Sequence, residues 1–67
     1  MKILKLRGKM VEKGMSVETL AAIMDIDRAT LYRKFADGDK FTVGEALKIN
    51  EALDLTNEDA YDIFFGQ

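Results

Sequence analysis

Sixty-seven residues without a cysteine or a histidine make one domain near the lower size limit for folding without a staple. They exclude disulfides, thiolate metal sites and histidine-based acid–base chemistry. Twelve Asp and Glu against ten Lys and Arg give a net charge of −2, unevenly spread: residues 1–40 carry nine basic side chains against six acidic ones, residues 41–67 one against six. A basic first part keeps a polyanionic partner open in a chain that is acidic overall.

The absence of cysteine suits a reducing cytoplasm. The opening "MKILKLRGK" has no apolar run long enough for a secretory signal, and no segment is long enough to span a membrane. Proline is absent too, and apolar residues recur at spacings of three and four, so the chain is predicted to be all-α. It reads as a single domain over residues 1–67.

A first helix is predicted from about Ile3 to Lys13, with Ile3, Leu6, Met10 and Val11 inward and Gly14 closing it in the left-handed conformation. Ser16 suits the cap of a second helix, Val17 to Met24, whose inner stripe is Val17, Leu20, Ala21 and Met24. Small Ala21 and Ala22 permit close packing. Asp25-Ile26 is a tight joint, and Asp27 caps a third helix through about Ala36, anchored by Leu31 and Phe35. The run Asp37-Gly38-Asp39-Lys40 reads as a turn.

Thr42 and Glu45 form the capping box "TVGE" of a fourth helix, in which each side chain satisfies a free backbone donor. Its inner face is predicted to use Val43, Ala46, Leu47, Ile49 and Leu53. Thr56 and Asp59 resemble a second such box, opening a short fifth helix through Phe64. Consecutive residues on a helix diverge by roughly 100°, so Ile63, Phe64 and Phe65 cannot all face inward. Either Ile63 and Phe64 close the core with Phe65 at its edge, or part of the cluster, with Tyr61, forms a homodimer surface.

The informative stretch is "DIDRATLYRKF". With Leu31 and Phe35 inward, Arg28, Ala29, Tyr32 and Arg33 point outward near a helix N-terminus, where a major groove can receive them. An arginine there can donate two hydrogen bonds to guanine O6 and N7, and Ala29 allows close approach or contact with a thymine methyl. The plainer alternative is an Arg28–Asp25 surface pair, worth little energetically. The aspartates of "DID" and "DGD" lack the ligand run of a calcium loop, and Ser16 and Thr30 have no histidine to activate them. No cofactor, metal site or enzymatic activity is predicted.

Two segments, "LRGKMVEKGMSVETLAAIMDIDRATLYRKF" and "TVGEALKINEALDLT", together resemble the Cro and lambda-repressor-like helix-turn-helix regulators, the xenobiotic-response-element type. The resemblance runs from about Leu6 to Leu55. "RATLYRKF" looks particularly like small bacteriophage and prophage regulators. It implies a compact five-helix domain with its helix-turn-helix at about 17–36. Helix 28–36 would lie in the major groove, and the protein would bind a palindromic operator as a dimer.

By that resemblance Arg28, Ala29, Tyr32 and Arg33 would touch bases. Ser16, the Val17 amide, Lys34, Lys40 and Thr42 would touch phosphate, since free amides and the helix dipole favour an anion. Many relatives carry a glutamine where Val17 stands, and an arginine–glutamate pair where Met10 and Phe35 stand. The function implied is transcriptional regulation by a double-stranded DNA-binding protein of the bacterial or phage cytoplasm. The alternative is a protein-interaction module, an antitoxin-like or anti-regulator partner that uses the acidic C-terminal helices.

Overall fold

The computed structural model describes residues 1–37 and 41–66. Among them five helices follow one another: α1 (Ile3–Glu12), α2 (Val17–Met24), α3 (Arg28–Asp37), α4 (Val43–Leu53) and α5 (Asn57–Phe65). No strand occurs among the described residues. The predicted turn at Gly38, Asp39 and Lys40 lies outside them.

The core is built from pairs spaced three or four residues apart. Leu6 and Met10 come from α1, Leu20, Ala21 and Met24 with Val17 from α2, Leu31 and Phe35 from α3, Ile49 and Leu53 from α4, and Ile63 from α5. Each spacing returns a side chain to the same side of its helix. Helix α2 is the centre, packing on both α3 and α4, while α5 rests against α1.

Three helices end in the same way. Gly14 takes φ 69°, Asp25 φ 59° and Asp54 φ 49°, all left-handed. In each case the next amide reaches back into the final turn: Met15 to the Met10 carbonyl, Ile26 to Ala21 and Leu55 to Asn50. The apolar residue after each left-handed position, Met15, Ile26 or Leu55, then packs on the core. This is the Schellman closure with its hydrophobic contact.

The helix starts follow their capping chemistry. Ser16, Thr42 and Thr56 each accept a hydrogen bond from the amide three residues on. At Thr42 the box is complete, because Glu45 returns a bond to the Thr42 amide at 2.9 Å. At Thr56 only the threonine half forms; Asp59 turns instead to Lys5 and Lys9.

Several apolar residues predicted to face inward do not. Val11 is 81% exposed, Val43 78% and Leu47 59%, and Ala22 is also exposed. On α4 the buried stripe is Ile49 and Leu53 with Ala46 half-buried, while Val43 and Leu47 lie on a second stripe. Ile63 is fully buried and Phe64 half-buried, but Phe65 stands out at 73% exposure, farther than the edge of the core.

Candidate nucleic-acid interface

The joint between α2 and α3 sets the site. Asp25 closes α2 in the left-handed region, Ile26 tucks against the core, and the Asp27 carbonyl accepts the first helical bond of α3 from Leu31 at 3.1 Å. With Leu31 and Phe35 held inside, Arg28, Ala29, Tyr32 and Arg33 are all exposed on the opposite side. Among the described residues Arg28 makes no ion pair, with Asp25 or any other acid. Arg33 Nη2 donates to Thr30 Oγ1 at 3.2 Å, and the Tyr32 hydroxyl donates to Glu18 Oε2 of α2 at 3.1 Å.

The residues assigned to phosphate differ in their freedom. Ser16 is exposed; its hydroxyl accepts from the Thr19 amide and donates to Thr19 Oγ1. The Val17 side chain is buried, which leaves only its amide at the α2 N-terminus for an anion. Lys34 bonds Glu45 Oε1 at 3.2 Å and lies 5.8 Å from the centroid of the Phe41 ring. Partial burial raises the Glu45 carboxyl pKa, but the Thr42 amide and the Lys34 ammonium outweigh it and hold the group below its ordinary value. Thr42 is exposed, with amide and hydroxyl both engaged in its capping box. Lys40 lies outside the described residues.

Much of the positive charge of α1 is neutralised at short range. Lys2 and Lys5 bond Asp62 at 2.8 and 2.6 Å, and Lys9 bonds Asp59 at 3.0 Å. The acids that follow α4 in the chain therefore sit against the lysines that open it. The uneven charge seen along the sequence is partly evened out in space.

Residues that pattern reasoning missed are the partners across elements: Glu18 for Tyr32, Glu45 for Lys34, and Arg7, whose guanidinium lies 5.0 Å from the Phe35 ring centroid. No helical spacing reports a contact between side chains eleven to twenty-eight residues apart. Between them α4 and α5 enclose an open groove of about 280 Å³ lined by residues that include Val43, Leu47, Asn50, Tyr61, Phe64 and Phe65. It therefore unites Tyr61, Phe64 and Phe65 with the outer stripe of α4. Among the described residues the Asn50 side-chain oxygen has no hydrogen-bond partner.

The arrangement can present arginine donors from an exposed helix start to a base edge, with helix N-termini alongside to meet phosphate. The family model of the helix-turn-helix domain of resolvase matches residues 4–38, spanning α1 to the end of α3. No curated protein and no solved structure matches the chain significantly. The match names the resolvase type and leaves the Cro and lambda-repressor-like subgroup as a resemblance. With the match covering half of the chain and its joint, Ser16 cap and outward row of α3 in place, this protein belongs to the resolvase-type helix-turn-helix family of DNA-binding domains.

Proposed function

We propose that the protein is a sequence-specific regulator of transcription, of the small prophage Cro- or repressor-like kind, that acts by occupying promoter DNA. One observation carries the reading: the exposed row Arg28, Ala29, Tyr32 and Arg33 at the start of the second helix of a helix-turn-helix. These four residues read bases in the major groove. Ser16, the Val17 amide, Lys34, Lys40 and Thr42 hold phosphate, which fixes register without reading sequence. Control works by occupancy, in the cytoplasm and without catalysis.

A palindromic operator follows from a dimer, and the groove between α4 and α5 supplies its surface. Tyr61, Phe64 and Phe65 with Val43 and Leu47 form a contiguous apolar face beside it. The same groove favours the second reading, an antitoxin-like or anti-regulator partner seated on α4 and α5.

Selection of bound sequences from random duplex DNA at moderate salt tests the first reading. A palindromic consensus supports the regulator and its symmetry together. The absence of any enriched sequence transfers support to the partner-binding reading. Binding to DNA must also weaken steeply as salt rises, whereas an apolar partner interface persists.

A further inference from the structure

Tyr32 does not reach into the groove alone. Its hydroxyl donates to Glu18 Oε2, 3.1 Å away across the joint, and both residues are exposed. Glu18 is the second residue of α2, where a carboxylate suits the positive end of the helix dipole. The bond draws that carboxylate toward α3.

The consequence lies in what the pair can still offer. A tyrosine hydroxyl has one proton and two lone pairs, and an ionised carboxylate only accepts. With the proton spent on Glu18, the Tyr32 oxygen and the carboxylate together present acceptors alone. Arg28 and Arg33 on either side present donors alone. The face therefore runs donor, acceptor, donor.

We propose that Glu18 is a specificity-determining residue, and that Glu18 and Tyr32 together select a base with an exocyclic amino group at one operator position. This rests on α3 occupying the major groove. There adenine N6 and cytosine N4 are donors, while guanine O6 and thymine O4 are acceptors. An acceptor-only pair admits adenine or cytosine on the strand it faces and repels guanine or thymine. The arginines read guanine at neighbouring positions.

Glu18→Ala and Tyr32→Phe test this by selection from random duplex DNA beside the parent, with Glu58→Ala on α5 as an acid-removal control. Glu18→Ala frees the hydroxyl to donate, and Tyr32→Phe removes it. Each is expected to lower the preference for amino over keto bases about fivefold or more at one shared position, the scale of a polar base-edge contact. Preferences elsewhere should hold, and Glu58→Ala should match the parent. A parental consensus that both variants reproduce overturns this inference alone, as does a loss spread evenly over all positions. A parent that enriches no sequence overturns the major-groove reading and this inference with it.

Discussion

The Arg7 guanidinium lies over the ring of Phe35, 5.0 Å from its centroid, joining the middle of α1 to the end of α3. Many relatives that the chain resembles make this junction with an arginine–glutamate pair. Here Met10 and Phe35 are both buried in the core, and an arginine one turn earlier covers the ring. Phe41 meets the same ring at 5.9 Å. Phe35→Ala should therefore cost about 3–5 kcal/mol, the range for deleting a buried aromatic. Arg7→Ala should cost about 0.5–1 kcal/mol, as for an exposed cation over a ring. Urea denaturation measures both, and equal costs would mean the guanidinium does more than cover the ring.

The α1–α5 ion cluster predicts a defined acid limb. The Lys2 and Lys5 ammonium groups hold the Asp62 carboxyl down to about 2, against an ordinary 3.8, and Lys9 and Lys5 lower Asp59. A carboxyl held low when folded stabilises fully above its unfolded value, so this contribution is intact above about pH 5 and fades as pH falls toward 2. Lys5, held by Asp62, and Lys9, held by Asp59, are raised above 10.5, so their share is lost only in strong alkali. Thermal melting from pH 7 to pH 2 should show a steeper fall for the parent than for Asp62→Asn. Both curves should converge in high salt, which screens exposed pairs.

Pairing of those lysines also limits what DNA can recruit. Lys2, Lys5 and Lys9 are all engaged by carboxylates within the domain. The cations that the proposed interface brings to the duplex are Lys34 and Lys40 at phosphate with Arg28 and Arg33 at bases. With two to four contacts per subunit, log K against log salt should have a slope of about −2 to −4 per subunit. Titration at several salt concentrations reads it directly. A much steeper slope would mean that the lysines of α1 leave Asp59 and Asp62 for the duplex.

Arg33→Ala should relax base preference at one or two positions at a cost of about 1–3 kcal/mol there. Lys34→Ala should behave differently, because the ammonium also supports Glu45 and so the capped start of α4. Weaker binding to all sequences alike, with a lower melting temperature, is the expected outcome. Selection profiles and melting curves of the two variants separate reading from holding.

Phe65→Glu should leave the fold intact, since that side chain is 73% exposed, and should prevent association through the α4–α5 groove. Sedimentation should then find a monomer. Affinity for the full palindrome should drop about tenfold or more as the second subunit's effective concentration is lost, while a half-site binds as before. An unchanged oligomer would remove this face from the dimer.

The frame was legible because its signals are local. Gly14, the Ser16 and Thr42 caps and the spacing of Leu20, Ala21 and Met24 each act within a turn, and the structure follows them. What failed was the orientation of Val11, Val43 and Leu47. Two apolar stripes run along α4, one through Ala46, Ile49 and Leu53 and one through Val43 and Leu47. At roughly 100° per residue they lie side by side, so periodicity alone does not say which the core takes. The outward row of α3 could be placed once Leu31 and Phe35 were fixed inside. The Glu18–Tyr32 bond and the lysine–aspartate cluster were hidden because they join residues distant in sequence.

The left-handed closures at Gly14, Asp25 and Asp54 bear on how such a protein could change its target. Each corner is fastened by main-chain bonds and one greasy residue beneath it, none of which belongs to the outward row of α3. On the proposed reading, new letters could therefore be written at positions 28, 29, 32 and 33 while the angle of the second helix stays as it was. A lineage carrying this frame could then drift from one operator to another by surface exchanges, and an engineer could graft a foreign row onto it. Only Glu18, tied to one member of that row from the helix before, would have to travel with the graft.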